Sequence, residues 1–231
     1  MRTLDVIHAR MYDRRLDWDR IDRRAARRNP RALDLLREAC LIESYLPVYT
    51  GKMMSLFWDD LAATAVFTIE AIEAYGHYYL LRRYLETIGY RPIRDQEVIA
   101  LRRKERRAVY TDQVRELVNF MGTEHFAAQF FTDLEGMVEE PVLRGLLPEF
   151  AAEERVHSQF ALDLLAARVR HRPTLKRAVV RHARNFTHVG AYVTASVSPA
   201  SADNIRTIQA LNRRFTQLLG KPLSDFLVAR P

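Results

Sequence analysis

The chain has 231 residues and a formal net charge of +7, with 36 basic and 29 acidic side chains. Its single cysteine, Cys40, excludes an intrachain disulfide bond, a cysteine-rich zinc site and a cysteine-ligated iron cluster. With 8 glycines, 9 prolines and 48% hydrophobic residues, the composition favours one all-α globular domain with a substantial core.

The same numbers limit where the protein works and what it binds. The sequence is charged from Arg2 onward, so we expect no signal peptide. No apolar run approaches the ~18 residues of a membrane span, and we expect a soluble cytoplasmic protein. The basic excess suits an acidic partner, but nucleic acid is disfavoured because neither a binding motif nor a basic–aromatic alternation is present.

Residues 1–30 are rich in arginine and aspartate and end at Asn29-Pro30. The pattern over 31–57 predicts a first long helix, kinked at Pro47, with one face formed by Leu36, Cys40, Glu43, Pro47 and Thr50. Asp59-Asp60 predicts the start of a second helix that reaches about Ile88. Its inner face is predicted to hold Val66, Ile69, Glu70, Glu73, His77, Leu80 and Tyr84.

A charged segment, 94–109, separates the second helix from a third helix over about 111–137. The face of the third helix comprises Leu117, Phe120, Met121, Glu124, Ala128 and Phe131. Glu139-Glu140-Pro141 predicts the start of a fourth helix that reaches about Arg170. Its face comprises Leu147, Phe150, Ala151, Glu154, His157, Ala161 and Leu164.

The C-terminal part predicts two weaker helices over about 173–187 and 202–219, joined by a Ser/Ala/Pro loop at 195–203. We therefore expect one domain over 1–231, with a bundle core at about 31–170. The C-terminal helices would flank this bundle.

Each of the four long predicted helices places a carboxylate on its apolar face, and two of them add a histidine. Glutamate is rarely buried unless it is paired or bound to metal. A di-metal carboxylate centre takes one glutamate from each of two helices and a glutamate with a histidine from each of the others. The predicted metal ligands are Glu43, Glu73, His77, Glu124, Glu154 and His157.

Simpler interpretations exist for each part of this pattern. A lone E-x-x-H on a helix is commonly a solvated pair, and a lone histidine on an apolar face is commonly a core residue. Glu73 and His77 are four residues apart rather than three, which still leaves them about 40° apart on the helix. Glu70, two turns before His77, is the alternative ligand.

With these residues the chain resembles the soluble acyl-carrier-protein fatty acid desaturases, particularly their mycobacterial and actinobacterial branch. Residues 138–157, which end in E-E-R-V-H, resemble the fourth bundle helix of that family and its [DE]-E-x-R-H-type motif. Residues 67–85 resemble its W-T-A-E-E-N-R-H helix, and 43–47 its E-E-A-L-P segment. Thr123–Ala127 falls where the family's third helix has its ligand, and the resemblance covers roughly 15–170.

The resemblance implies a ferritin-like four-helix bundle with flanking helices and a diiron centre of two iron ions. The family uses dioxygen and two electrons from ferredoxin to desaturate an acyl chain carried by acyl carrier protein, and it forms homodimers. It also implies that Glu153 hydrogen-bonds His77 without binding a metal ion itself. We also count Glu70 among the residues that could support the ligands in this way. Trp18 would lie on the electron path. Plant members have a threonine where this chain has Ala127.

An acyl chain needs an apolar channel, for which Phe67, Phe120, Met121, Phe126 and Phe130 are candidates, although ordinary core packing also explains them. The basic clusters at 101–107 and 168–184 could dock acidic acyl carrier protein or could be solvated faces. Three functions remain open. They are an acyl-carrier-protein desaturase, another diiron oxygenase such as a hydroxylase or N-oxygenase, and a catalytically degenerate interaction protein.

Overall fold

The computed structural model describes residues 3–190 and 202–226, and within these ranges the fold is all-α, as predicted. The four long helices are α3, α4, α6 and α7, and the others flank them. The bounds are α1 Thr3–Met11, α2 Arg23–Ala26, α3 Pro30–Leu56, α4 Leu61–Ile88, α5 Asp95–Arg107, α6 Gln113–Met137, α7 Pro141–His171, α8 Lys176–Arg184 and α9 Ala202–Leu219.

The long helices begin at residues whose side chains cap the free backbone N–H groups of the first turn. Asn29 caps α3, Asp60 caps α4, Asp112 caps α6, and Glu140 caps α7. Proline occupies the first position of α3 and α7, where its missing N–H costs nothing. These caps explain why the predicted starts of the four helices agree with the structure to within about two residues.

The four long helices form two hairpins that pack on each other. Helices α3 and α4 are joined by residues 57–60, and α6 and α7 by residues 138–140, so each pair runs antiparallel. Helix α4 also contacts α7, and α3 contacts α6. The connection from α4 to α6 contains α5, which packs against α3.

The apolar core of the bundle is divided into two clusters. One cluster includes Tyr49 and Phe120, and the other includes Leu36 and Phe150, all with side chains that are fully buried. Glu43 on α3, Glu124 on α6 and Glu154 on α7 lie between the buried residues of the two clusters, and on α4 His77 has this position. A polar layer therefore crosses the middle of the bundle.

Several predicted elements differ from the structure. The charged segment 94–109 contains α5, whose inward side chains are Val98 and Glu105. The region predicted as one helix over 173–187 contains a 3-10 turn at Pro173–Leu175 followed by the shorter α8. Helix α3, by contrast, agrees with its prediction to within one residue at each end and continues through Pro47. Most of the loop predicted at 195–203 lies outside the described residues.

None of the helices in the described ranges has the length and apolarity that crossing a membrane requires. Even the longest, α7, is interrupted by charged and polar side chains throughout its length. This agrees with the hydropathy of the sequence.

The fold predicts opposite effects of removing two buried tyrosine hydroxyls on α3. The Tyr49 hydroxyl is fully buried with no hydrogen-bond partner in the described part of the chain, whereas the Tyr45 hydroxyl donates to the Val189 carbonyl at 3.2 Å. We expect Tyr49→Phe to raise the free energy of unfolding by about 1 kcal/mol, and Tyr45→Phe to lower it by about 1 kcal/mol. Urea denaturation of both variants measures this difference, and a loss of stability in Tyr49→Phe would contradict it.

Candidate metal centre

The polar layer brings together two groups of side chains that could hold a metal ion, all of them buried. Glu43, His77 and Glu154 form the first group, which we call the His77 position. Glu70, Glu124, Glu154 and His157 form the second, which we call the His157 position. In each group, one ligand atom per residue lies within 4.8 Å of the others. Glu154 belongs to both groups, so the two positions are adjacent.

Both histidines turn Nδ1 towards the carboxylates of their own position. His77 Nδ1 lies 3.1 Å from Glu154 Oε1 and 3.8 Å from Glu43 Oε2. His157 Nδ1 lies 2.7 Å from Glu70 Oε2 and 3.0 Å from Glu154 Oε2. Ligands at right angles around a divalent ion, each at ~2.1 Å, are about 3 Å apart. The separations are therefore close to those of ligands that share an ion.

Unpaired atoms in the cluster support the same interpretation. Among the described residues, Glu43 Oε2, Glu70 Oε2, His77 Nδ1 and Glu124 Oε1 are buried without a hydrogen-bond partner. Glu70 Oε2 is close to His157 Nδ1, yet the two atoms are not aligned for a hydrogen bond. Buried polar atoms normally have partners, so unpaired atoms grouped in one place need a common explanation. Coordination of metal ions satisfies all of them.

A second carboxylate holds each histidine from the opposite helix. His77 Nε2 donates to Glu153 Oε2 at 2.7 Å, which is the contact that the resemblance to the desaturases implied. His157 Nε2 donates to Glu73 Oε2 at 2.5 Å. When Nε2 carries the proton, Nδ1 presents its lone pair to the cluster. The two contacts cross between α4 and α7, and they orient both rings.

The structure places Glu70, the alternative ligand of the sequence analysis, inside the cluster, and places Glu73, the preferred ligand, outside it. Glu70 is 1% exposed and lies in the His157 position, whereas Glu73 is 33% exposed and contacts only the outer nitrogen of His157. The helical angle explains this, because Glu70 is about 20° from His77 and Glu73 about 40°. Glu70 also follows the buried spacing set by Phe67 and Ala74. That spacing is the signal that would have identified it.

The candidate channel residues lie on both sides of the polar layer. Phe67, Phe120 and Met121 are fully buried in the cluster that contains Tyr49, and the rings of Phe67 and Phe120 are 5.0 Å apart. Phe126 packs against the same cluster. Phe130 packs against the other cluster, with its ring 5.5 Å from that of Phe131.

Trp18, the candidate for the electron path, lies at the surface of α4. The Arg83 guanidinium stacks on its indole at 4.2 Å, and its Nε1 donates to the Asp13 carbonyl. The residue that reaches Glu153 from the N-terminal segment is Arg15, at 2.9 Å. Nothing in the sequence marks Arg15 as a functional residue, because no local pattern distinguishes it from the neighbouring Arg14.

Burial and mutual repulsion dominate the electrostatics of the cluster. Burial raises the pKa of Glu43 to about 7, and burial together with the charge of Glu70 raises the pKa of Glu124 well above its usual value. Burial also opposes ionisation of Glu154, but its hydrogen bond with His157 and its close contact with His77 hold its pKa below the usual range. These carboxyl groups therefore ionise readily only where positive charge lies beside them.

The imidazoles can supply this charge as protons. Burial alone would lower the pKa of His77, but its contacts with Glu153, Glu154 and Glu43 raise that pKa well above its usual value. Burial opposes protonation of His157 too, and the charge of Glu70 overcomes it and raises the pKa of His157. A divalent ion bound here would replace these protons.

The donor set limits which ions fit. Carboxylate oxygen and imidazole nitrogen without thiolate suit iron, manganese and other divalent first-row metals. Four carboxylates and two imidazoles provide enough donors for two such ions, and Glu154 can be shared between them. No protein-family model, curated protein or solved structure matches this chain significantly.

A comparison of Glu70→Gln with Glu73→Gln tests the placement of these two residues. We expect Glu70→Gln to lose one of the two ions at metal concentrations that saturate the wild-type protein, because a coordinating oxygen is removed. Glu73→Gln should keep both ions, with affinity about 10- to 100-fold weaker at one of them, as is usual for outer contacts. Equilibrium dialysis followed by elemental analysis measures both. Loss of an ion only in Glu73→Gln would contradict the geometry.

Metal binding should also depend on pH. Metal coordinates the ionised form of Glu43, whose pKa is raised to about 7. Protons therefore compete below pH ~7, and affinity should rise as the pH rises from about 6 to 8, with release of protons. Calorimetric titration in two buffers of different ionisation enthalpy counts these protons. Glu43→Gln is the control and should show a weaker pH dependence, whereas constant affinity across this range in the wild-type protein would refute the prediction.

Proposed function

We propose that the protein is a dioxygen-dependent diiron oxidoreductase. The observation that carries this proposal is the buried layer in which four glutamates and two histidines from four helices share one centre. Two iron ions held by these residues would, in the reduced state, supply the electrons that activate dioxygen. The chain's own residues hold the centre, since Glu73 and Glu153 orient the two imidazoles.

The proposed substrate is an acyl chain on acyl carrier protein, and the proposed reaction is its desaturation. The resemblance of residues 138–157 to the desaturases supports this choice. The geometry is compatible, because Phe67 and Phe120 lie about one helical turn from Glu70 and Glu124. An apolar chain that displaced these rings would pass beside the His157 position.

Two basic faces support an acidic carrier protein as the partner. The exposed residues of α5 include Arg103, Arg106 and Arg107, and those of α8 include Arg177, Arg181 and Arg184. Complementary charge speeds the association of a carrier protein and orients it. Ferredoxin, which is the proposed electron donor, would use the same kind of attraction, and the proposed assembly is a homodimer.

A specific observation favours a second candidate, another diiron oxidation such as hydroxylation or N-oxygenation. Glu70 and His77 are seven residues apart, unlike the E-x-x-H of Glu154 and His157. Ala127 also stands where plant desaturases have a threonine. The same ligands support different reactions, so these departures leave the type of oxidation to experiment.

The test is incubation of the iron-loaded protein with reduced ferredoxin, dioxygen and acyl-carrier-protein thioesters. We expect two iron ions per chain and an olefin detectable by mass spectrometry after the thioester is cleaved. Glu154→Ala, which removes the shared carboxylate, should abolish product while circular dichroism shows an intact helical fold.

Other results separate the alternatives. A hydroxylated or N-oxygenated product with two irons bound would favour the second candidate. Failure to bind a metal pair from iron-replete cells would overturn both. It would favour a degenerate interaction protein, especially if Glu154→Ala preserved the biological role.

A further inference from the structure

The N-terminal segment, residues 3–20, lies against α4 beside His77. The imidazole of His8 is hydrogen-bonded to the Tyr75 hydroxyl at 2.8 Å. Tyr12 packs directly on Gly76, where an added Cβ would lie 2.8 Å from the Tyr12 ring. Gly76 immediately precedes His77 along the chain. A side chain at Gly76 would push the segment away, so this glycine allows the segment to approach the metal centre.

Arg15 connects this segment to the outer carboxylate of His77. Its guanidinium lies 2.9 Å from Glu153 Oε1, 3.1 Å from Glu149 Oε2 and 5.3 Å from the centre of the Phe150 ring. Glu153 uses its other oxygen, Oε2, to accept the proton of His77 Nε2. Arg15, Glu153 and His77 therefore form a continuous chain that ends at Nδ1 of His77, inside the cluster.

The corresponding carboxylate on the other side lacks such a cation. Glu73 accepts from His157, and in the described part of the chain no arginine or lysine forms an ion pair with it. The exposed fractions of Glu153 and Glu73 are similar, 26% and 33%. The two outer carboxylates thus differ in their ion pairing more than in their exposure to solvent.

We propose that Arg15 is a positioning residue of the metal centre, which acts through Glu153 on His77 and sets the affinity of the His77 position independently of the His157 position. This inference rests on the proposed metal-binding function. It adds a role for the N-terminal segment and a difference between the two metal positions.

The physical reason is the number of contacts that hold Glu153. With Arg15 present, one carboxylate oxygen is fixed by the guanidinium and the other by His77, so the imidazole has one orientation. Without Arg15, Glu153 can rotate towards solvent, and the ring loses its outer partner. Outer contacts of this kind change metal affinity by about 10- to 100-fold.

The inner donors add to the difference. The His157 position has three carboxylates and the His77 position two, with Glu154 counted in both. More anionic donors bind a divalent cation more tightly. We therefore expect the His157 position to fill first and the ion at the His77 position to be the second and weaker one.

The experiment is an anaerobic titration of the full chain with Co²⁺, followed by its absorption spectrum and fitted with two stepwise constants. For Arg15→Gln we expect the second constant to weaken by about tenfold or more, with the first unchanged. Arg15→Lys should recover part of the loss, because it restores the charge but not the planar fork of donors. In a His77→Ala background, which retains only the first ion, Arg15→Gln should have no effect.

Asp13→Asn is the matched control. Asp13 accepts from the Tyr79 hydroxyl and pairs with Arg83, so it ties the same segment to α4 without touching Glu153. We expect Asp13→Asn to leave both constants unchanged, even if thermal unfolding shows that it destabilises the protein as much as Arg15→Gln does.

Several outcomes would overturn the inference. Equal weakening of both constants in Arg15→Gln, or the same selective weakening in Asp13→Asn, would mean that the segment acts only through general stability. Wild-type protein that binds two ions, with Arg15→Gln unchanged, would refute the inference and leave the proposed function standing. Wild-type protein that binds no metal would refute both.

Discussion

The mutual repulsion of four buried carboxylates is the constraint on which the rest of this structure depends. Glu43, Glu70, Glu124 and Glu154 lie in the bundle core with at most 5% of their surface exposed. An ionised carboxylate removed from water costs several kcal/mol unless positive charge lies beside it. The bundle can therefore close only if some of these carboxyls are protonated or if protonated imidazoles or metal ions neutralise them, while the apolar clusters on each side provide the favourable burial.

The same layer joins the two helical hairpins. Helices α3 and α4 form one hairpin and α6 and α7 the other, and the contacts of His77 with Glu153 and of His157 with Glu73 cross between them. Each contact fixes a ring whose inner nitrogen belongs to the cluster. The packing of the helices therefore determines the geometry of the candidate site, because a shift of α4 along α7 would misalign both histidines at once.

Much of this arrangement could be predicted from helical periodicity. Every residue assigned to the inner faces of α6 and α7 is buried, because those faces have an unbroken spacing of three and four. On α4 the predicted face was broader than the buried one: it included the buried Glu70, but also Ile69, which is 41% exposed, and Glu73, which lies outside the buried spacing of Phe67, Glu70 and Ala74. Arg15 could not be predicted, because its contact with Glu153 spans 138 residues and depends on how the N-terminal segment packs.

Packing of the N-terminal segment on the bundle is what can make the two metal positions different. Within the bundle, α4 and α7 contribute similar sets of side chains. Each helix provides one glutamate and one histidine to the cluster, and a second glutamate that hydrogen-bonds the histidine of the other helix. Changing an inner ligand would disturb both positions, since Glu154 is shared. A residue outside the bundle can act on one side alone. Arg15 lies outside the bundle and contacts Glu153. The absence of a side chain at Gly76 lets the N-terminal segment, which contains Arg15, pack closely on α4.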